Sequence, residues 1–286
     1  MRKLSVALAM IFVFVFVVAC SENDEDVSED SATDQEVTEK QENATEKVDE
    51  ETEEVATNED ENIEEEIEAQ YYIDEEATVV PLDEGIDENV VLLTIDDAPA
   101  ANTLEMAETL LELDTGAIFF VNGHFLDTPE EEEALKQIHE MGFLIGNHTY
   151  NHPLLTDISE EEQREEIVSL SDRVEEIIGE RPKFFRAPNG MNTDFSEALV
   201  EEEGMVLMNW TYGYDYFEPY MDADKLAEAM ITGEAPEIDI DYSLLKPGAN
   251  LLMHDREWTN EALETIVDGL RDAGYETVDP TLIEVK

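Results

Sequence analysis

The chain has 286 residues, enough for one large domain with extensions or two small ones, and its 75 acidic side chains against 15 lysines and arginines give a formal net charge of −60. The excess is not confined to a tail, since residues 81–286 hold 49 acidic and 11 basic side chains, and a body this negative repels phosphate backbones, so nucleic acid is not an expected partner. A single cysteine excludes a disulfide within the chain, and an acidic, lysine-poor surface suits a high-salt medium that screens its self-repulsion.

Arg2 and Lys3 precede an unbroken apolar run from Val6 to Ala19. That run is shorter than the roughly 20 residues a membrane-spanning helix needs, and it reads as the apolar core of a secretory signal. It ends Val17-Val18-Ala19-Cys20, which resembles a bacterial lipobox. Residues 1–20 are therefore expected to be a lipoprotein signal peptide, with Cys20 lipidated and the mature protein anchored on the outer face of the cell membrane. Residues 21–86 are expected to form an acidic, disordered linker. Between Ser21 and Gln70 there is no Phe, Trp, Tyr, Gly or Pro, and such a stretch cannot bury enough apolar surface to offset its ordering entropy. Like charges extend it beyond the ideal-coil reach of about 40 Å for fifty residues, so it would serve as a tether.

From about Asn89 short apolar runs alternate with amphipathic stretches. Val90 to Ile95 reads as a buried strand, Thr103 to Leu113 as a helix and Ala117 to Val121 as a second strand. Thr128-Pro129-Glu130-Glu131 combines a capping hydroxyl, a proline at the first helical position and a glutamate three residues on. Phe143 to Ile145 is another strand. Ser159 with Glu162 repeats the capping box ahead of a long helix with an apolar stripe at Ile167, Leu170, Val174 and Ile177 or Ile178, ended by Gly179. Further strands are predicted at Lys183–Phe185, Met205–Asn209 and Ala249–Met253, and a helix from about Glu261 to Ala273. This alternation with near-continuous apolar strands predicts an α/β fold, a parallel sheet covered by helices and either open or closed into a barrel.

Four strand ends carry chemistry. The first strand runs into Asp96-Asp97-Ala98-Pro99, and two carboxylates there are costly unless a cation compensates them, although a solvated acidic turn is the plain alternative. Asn147 is followed by His148-Thr149-Tyr150-Asn151-His152, two of five histidines at a spacing that lets both rings approach one point. With Asp97 they would make a two-histidine, one-carboxylate set that leaves room for water. Arg186-Ala187-Pro188-Asn189-Gly190 places an arginine at a third strand end, able to pair with a carboxylate or to form an ordinary surface ion pair. Leu252-Met253-His254 places a histidine at the tip of a fourth, a position that a satisfied core histidine also fills.

Taken in order, these four motifs resemble those of the polysaccharide deacetylase family, the family 4 carbohydrate esterases with a NodB homology domain, over roughly residues 88–286. Thr94-Ile95-Asp96-Asp97-Ala98 matches T-F-D-D-G except that Ile95 and Ala98 replace Phe and Gly. His148 to His152 matches H-[ST]-x-x-H, Arg186 to Gly190 matches R-x-P-x-G, and Leu252 to His254 matches L-x-H. The family's D-x-x-D-W motif is degraded near Trp210, where Asp215 is the one acidic candidate to orient His254 or Arg186.

The resemblance implies a distorted (β/α) barrel of about seven parallel strands over residues 87–286. It also implies a divalent metal, Zn²⁺ or alternatively Co²⁺, on Asp97, His148 and His152. Asp96 would be the general base, Arg186 would keep it ionised and aimed, and His254 would be the general acid. Asn189, through its backbone N–H, would face the oxyanion, and Pro188, Trp210 and Leu252 would line the substrate site. The expected reaction is removal of N-acetyl groups from an N-acetylhexosamine polysaccharide such as peptidoglycan or a chitin-like glycan. O-acetyl ester hydrolysis and a catalytically idle glycan-binding role are the alternatives, and a monomer is the default state of association. The aromatic stretch Tyr212 to Tyr220 would line a sugar groove or fill a core.

Overall fold

A computed structural model of the chain describes residues 68–285. The signal segment, Cys20 and residues 21–67 of the expected linker lie outside the described residues. Within them no helix is long and apolar enough to cross a membrane.

The first two strands, β1 (Tyr71–Ile73) and β2 (Val79–Pro81), form an antiparallel hairpin. Tyr71 and Val79 are buried against Val90, Leu92, Ile118 and Phe120, and the Val79 N–H donates to the Gly248 carbonyl at 2.8 Å. Packed structure therefore begins ahead of residue 87, in a stretch that the composition assigns to the linker. The main sheet follows: β3 (Val90–Ala98), β4 (Ile118–Val121), β5 (Leu144–Asn147), β6 (Phe184–Phe185), β7 (Val206–Leu207), β8 (Ala249–His254) and β9 (Glu276–Thr277). Every pairing in it is parallel, in the order β7-β6-β5-β4-β3-β8, with β9 on the first residues of β3. Seven parallel strands agree with the expectation.

Among the described residues six α-helices cover the sheet: α1 (Thr103–Glu112), α2 (Pro129–Glu140), α3 (Glu160–Ile178), α4 (Asp194–Glu202), α5 (Ala223–Thr232) and α6 (Glu257–Asp272). Both predicted capping boxes form, Thr128 with Glu131 and Ser159 with Glu162, and Gly179 ends α3 at φ 82°.

Side chains on a strand alternate between two faces. Val91, Leu93, Ile95, Phe119, Val121, Leu251 and Met253 join one core with helix residues such as Met106, Leu110, Ile266 and Leu270. Their neighbours Leu92, Ile118, Phe120 and Phe184 face inward, where the sheet curls around a second core. The curl is closed by the chain just after β7. The Thr211 N–H donates to the Asn250 carbonyl at 2.7 Å and the Leu252 N–H to the Tyr212 carbonyl at 2.9 Å, so this segment bridges back to β8. A Cβ at position 213 would lie 2.3 Å from the Leu252 carbonyl oxygen, so only glycine permits that approach. The result is a curled half-barrel whose inner face is apolar below and charged above.

Candidate active site

The inward period of two carries on past the apolar core. On β3 it runs Leu92, Thr94, Asp96, and on β8 it runs Asn250, Leu252, His254. Asp96 and His254 are direct partners in the parallel register. Past the ends of β5 and β6 the same alternation brings His148 and Arg186 into the curl. Sites at the C-terminal ends of parallel strands follow from this geometry, because there the inner face meets solvent.

Asp96 is 2% exposed and Arg186 0%, and Arg186 Nη1 donates to Asp96 Oδ1 at 2.6 Å. The rest of the guanidinium is engaged by Thr94 Oγ1 and by the carbonyls of Met208 and Asn209, and it lies 4.3 Å from the Phe120 ring centroid. A charge this deep persists only when paired and fully hydrogen-bonded. The second oxygen, Asp96 Oδ2, stands 3.5 Å from His148 Nε2.

Asp97, His148 and His152 each offer one atom within 4.8 Å of the others. His148 Nδ1 donates to the Arg186 carbonyl at 2.7 Å, which leaves Nε2 as the ring's lone-pair nitrogen. Burial pulls the His148 pKa down despite the nearby Asp96, so the imidazole is neutral. For Asp97, burial pushes upward, but His254, His148 and Arg256 outweigh it and hold the carboxyl below its ordinary range. A neutral imidazole with a free nitrogen and an ionised carboxylate are what a zinc-like cation requires, so the three residues fit one. The backbone is shaped for the site: Asp97, Thr149, His152 and Asn189 all take positive φ, between 56° and 67°. Non-glycine residues in this region cost of order 1–3 kcal/mol each and cluster at functional sites.

Across the cavity, His254 Nδ1 lies 2.8 Å from Asp215 Oδ1, and Asp215 Oδ2 accepts from the His254 N–H and from Thr259 Oγ1. Asp215 therefore bonds His254, whereas Arg186 bonds Asp96. Burial pulls His254 down, but Asp215, with Asp96 and Asp97 behind it, prevails and raises its pKa.

The cavity holds about 370 Å³ and is lined by Asn189, Trp210, Tyr216 and Leu252 together with the charged groups. Pro188 is buried in its turn and is not among the lining residues. The aromatic stretch divides: Tyr212, Tyr214 and Tyr220 are core, and Tyr216 faces the cavity. Sequence reasoning missed Arg256, whose Nη2 donates to Asp97 Oδ2 at 2.7 Å. The 159 positions between those partners left no local signal.

The comparisons with known proteins point the same way. Residues 83–208 match the family model described as polysaccharide deacetylase. The chain is 29% identical to the peptidoglycan-N-acetylmuramic acid deacetylase PdaC of Bacillus subtilis, over 73% of this chain and 42% of that one. It is 28% identical to a peptidoglycan-N-acetylglucosamine deacetylase of Bacillus cereus, over 67% of this chain and 69% of the other. Several curated relatives are spanned over less than two thirds of their length, among them a Geobacillus stearothermophilus protein at 62% and Bacillus subtilis YlxY at 46%. Among solved structures, a family 4 carbohydrate esterase pseudoenzyme from Bacillus anthracis superposes with a TM-score of 0.60 at 26% identity, covering 69% of this chain and 67% of that one. The PdaC structure from Bacillus subtilis gives 0.58 at 26%, covering 68% and 91%. Family match, curled sheet and the convergence of separate strand ends on one cavity agree: residues 83–208 match the polysaccharide deacetylase family model, and the fold is similar to that of solved family 4 carbohydrate esterases.

Proposed function

We propose that this protein removes N-acetyl groups from an N-acetylhexosamine polysaccharide, peptidoglycan before a chitin-like glycan, with a divalent metal held by Asp97, His148 and His152. One observation carries the reading. A buried carboxylate with one oxygen fixed by Arg186 and the other turned toward His148 faces an aspartate-backed histidine across a single cavity.

Zinc, or cobalt in its place, supplies Lewis acidity that lowers the pKa of water from 15.7 toward about 7. The protein's own groups do the rest. Asp96 Oδ2 takes the proton of the attacking water, and Arg186 fixes that carboxylate in direction. His254, protonated at Nε2 because Nδ1 faces Asp215, gives its proton to the departing sugar nitrogen, which leaves poorly without one. The Asn189 N–H is the proposed donor to the oxyanion. Water and amide become acetate and a free amino sugar. Trp210, Tyr216 and Leu252 provide the apolar wall on which a sugar ring rests.

Lipidation of Cys20 would hold this domain on the outer face of the membrane, with the acidic linker giving it reach into the wall. The relatives named for peptidoglycan deacetylation support that location. The likeness to a pseudoenzyme makes an idle glycan-binding role the rival. Acetate release decides between them. Metal-stripped enzyme is expected to be inert on N-acetylglucosamine oligomers and peptidoglycan and to recover with Zn²⁺ or Co²⁺. Asp97→Ala, or His148→Ala with His152→Ala, is expected to abolish both metal retention and acetate release. No acetate from any N-acetylated glycan after metal reloading would sink the proposal, and release from acetylated xylan alone would move it to ester hydrolysis.

A further inference from the structure

The step from β8 into α6 is unusual in its chemistry. His254, Asp255 and Arg256 are consecutive, and each grips a different part of the molecule. His254 is held by Asp215. Asp255 is buried and accepts from the backbone N–H groups of Ala100 and Asn102, the Asn102 side chain and Thr103 Oγ1, which ties down the turn that follows Asp97. Arg256 donates through Nη1 to the Asp255 carbonyl at 2.8 Å and through Nη2 to Asp97 Oδ2 at 2.7 Å.

Arg256 is also the N-cap of α6, and its side chain makes no capping hydrogen bond. That position favours Ser, Thr, Asp or Asn, whose oxygens satisfy a free N–H of the first turn. A cation there also opposes the helix dipole. Of the other five helices four are capped, Thr128, Ser159, Thr193 and Asp222 each accepting from the first turn of its helix, while Asn102 of α1 makes no capping bond and donates to Asp255 instead. Where a sequence departs from its own local rule, the reason lies at a functional contact, and here the contact is Asp97.

We propose that Arg256 is a positioning residue for Asp97: by occupying Oδ2 it leaves only Oδ1, the oxygen 3.8 Å from His152 Nε2, turned toward the two imidazoles. The proposal rests on the metal reading given above. Arg256 is the hydrogen-bond donor to the Asp97 carboxylate among the described residues, as the Arg186 carbonyl is the partner of the His148 ring. With one oxygen spoken for, Asp97 is a one-oxygen ligand with a set direction, and the site keeps space for water and substrate. Lysine at 256 would keep the charge but not the planar fork that bonds Asp97 and the Asp255 carbonyl together.

The experiment is Co²⁺ titration of the metal-stripped full chain, read by visible absorption, for the parent, Arg256→Ser and Arg256→Lys, with thermal unfolding of the metal-free proteins alongside. Arg256→Ser is expected to weaken Co²⁺ binding about 10–100-fold and to lower the intensity of the cobalt bands as Oδ2 becomes free to bind. The same substitution restores a good N-cap, so its thermal midpoint is expected to rise. Arg256→Lys is expected to fall between parent and serine variant in affinity. Unchanged affinity and spectrum in Arg256→Ser would overturn the inference. So would tighter binding, which would make Arg256 only a repelling charge, and so would a fallen midpoint, which would assign the loss to the fold. A parent that binds no Co²⁺ removes the metal reading, and this inference with it.

Discussion

Asp96 and Asp97 are adjacent in sequence and opposite in setting. Asp96 continues the inward alternation of β3 into a sealed pair with Arg186. Asp97 leaves the strand at φ 62° and meets Arg256 at the rim, where the two side chains are 19% and 38% exposed. The inner pair is held by burial, a stacked ring and three further hydrogen bonds of the guanidinium, so its geometry is fixed by the fold. The outer pair is held by a single hydrogen bond and can respond to what enters the cavity. The base proposed at Asp96 needs the first environment, and the cation ligand proposed at Asp97 needs the second.

Four measurements break or sharpen that contrast. Asp96→Asn keeps the shape and the Asp97 site, so it is expected to retain Co²⁺ while acetate release falls about 10²–10⁴-fold; full activity in this variant would remove Asp96 as the base. Arg186→Met leaves Asp96 buried and unpaired, and urea unfolding is expected to show a loss of about 3–5 kcal/mol, because removing one partner of a buried ion pair strands the other. A loss below about 1 kcal/mol would mean the inner pair is no more than a surface contact.

The third concerns His254. Its folded pKa is raised, so the stability it contributes is fully present below its ordinary value of about 6.5 and disappears as pH climbs through the raised one. The acid is needed protonated, so the rate falls over the same rise. Asp215→Asn removes the anion that outweighs burial, and the alkaline limb of the pH–rate profile is expected to move to lower pH. A limb that stays in place would separate His254 from the leaving-group step. The smallest effect belongs to the outer pair: a double-mutant cycle on Asp97 and Arg256 in metal-free protein is expected to give a coupling below about 1 kcal/mol that shrinks with added salt.

Much of this was readable in advance, and the exceptions have physical causes. The strands of the main sheet and the capping boxes of α2 and α3 are local patterns, so periodicity and hydroxyl–glutamate spacing place them. The hairpin of β1 and β2 is not local. Its stability comes from Gly248 and Ile283, some 170 to 210 residues on, and its sequence lies next to acidic linker. α4 and α5 begin at Thr193 and Asp222, and α5 ends at Gly233, signals that were present and passed over. The predicted start of α6 at Glu261 is four residues late because Arg256 is the wrong residue for a cap, so the helix hides its beginning at the same place where the site gains an arginine. Asp97, His148, His152, Asp96, Arg186 and His254 sit on recognisable motifs, and the fold gathers them around one cavity. Asp215 lies in a degraded motif with two candidate partners, and it is the fold that brings it against His254.

The bridging segment after β7 has one more consequence. An unpaired outer strand offers a ladder of free amides and carbonyls that a second molecule can extend, and β8 would be such a strand. Thr211 and Tyr212 occupy that ladder from within the same chain, and Gly213 is what lets them lie close enough. Gly213→Ala should therefore reveal itself first as self-association on size-exclusion chromatography, because the molecule would lose the seam that keeps it from recruiting its own copies.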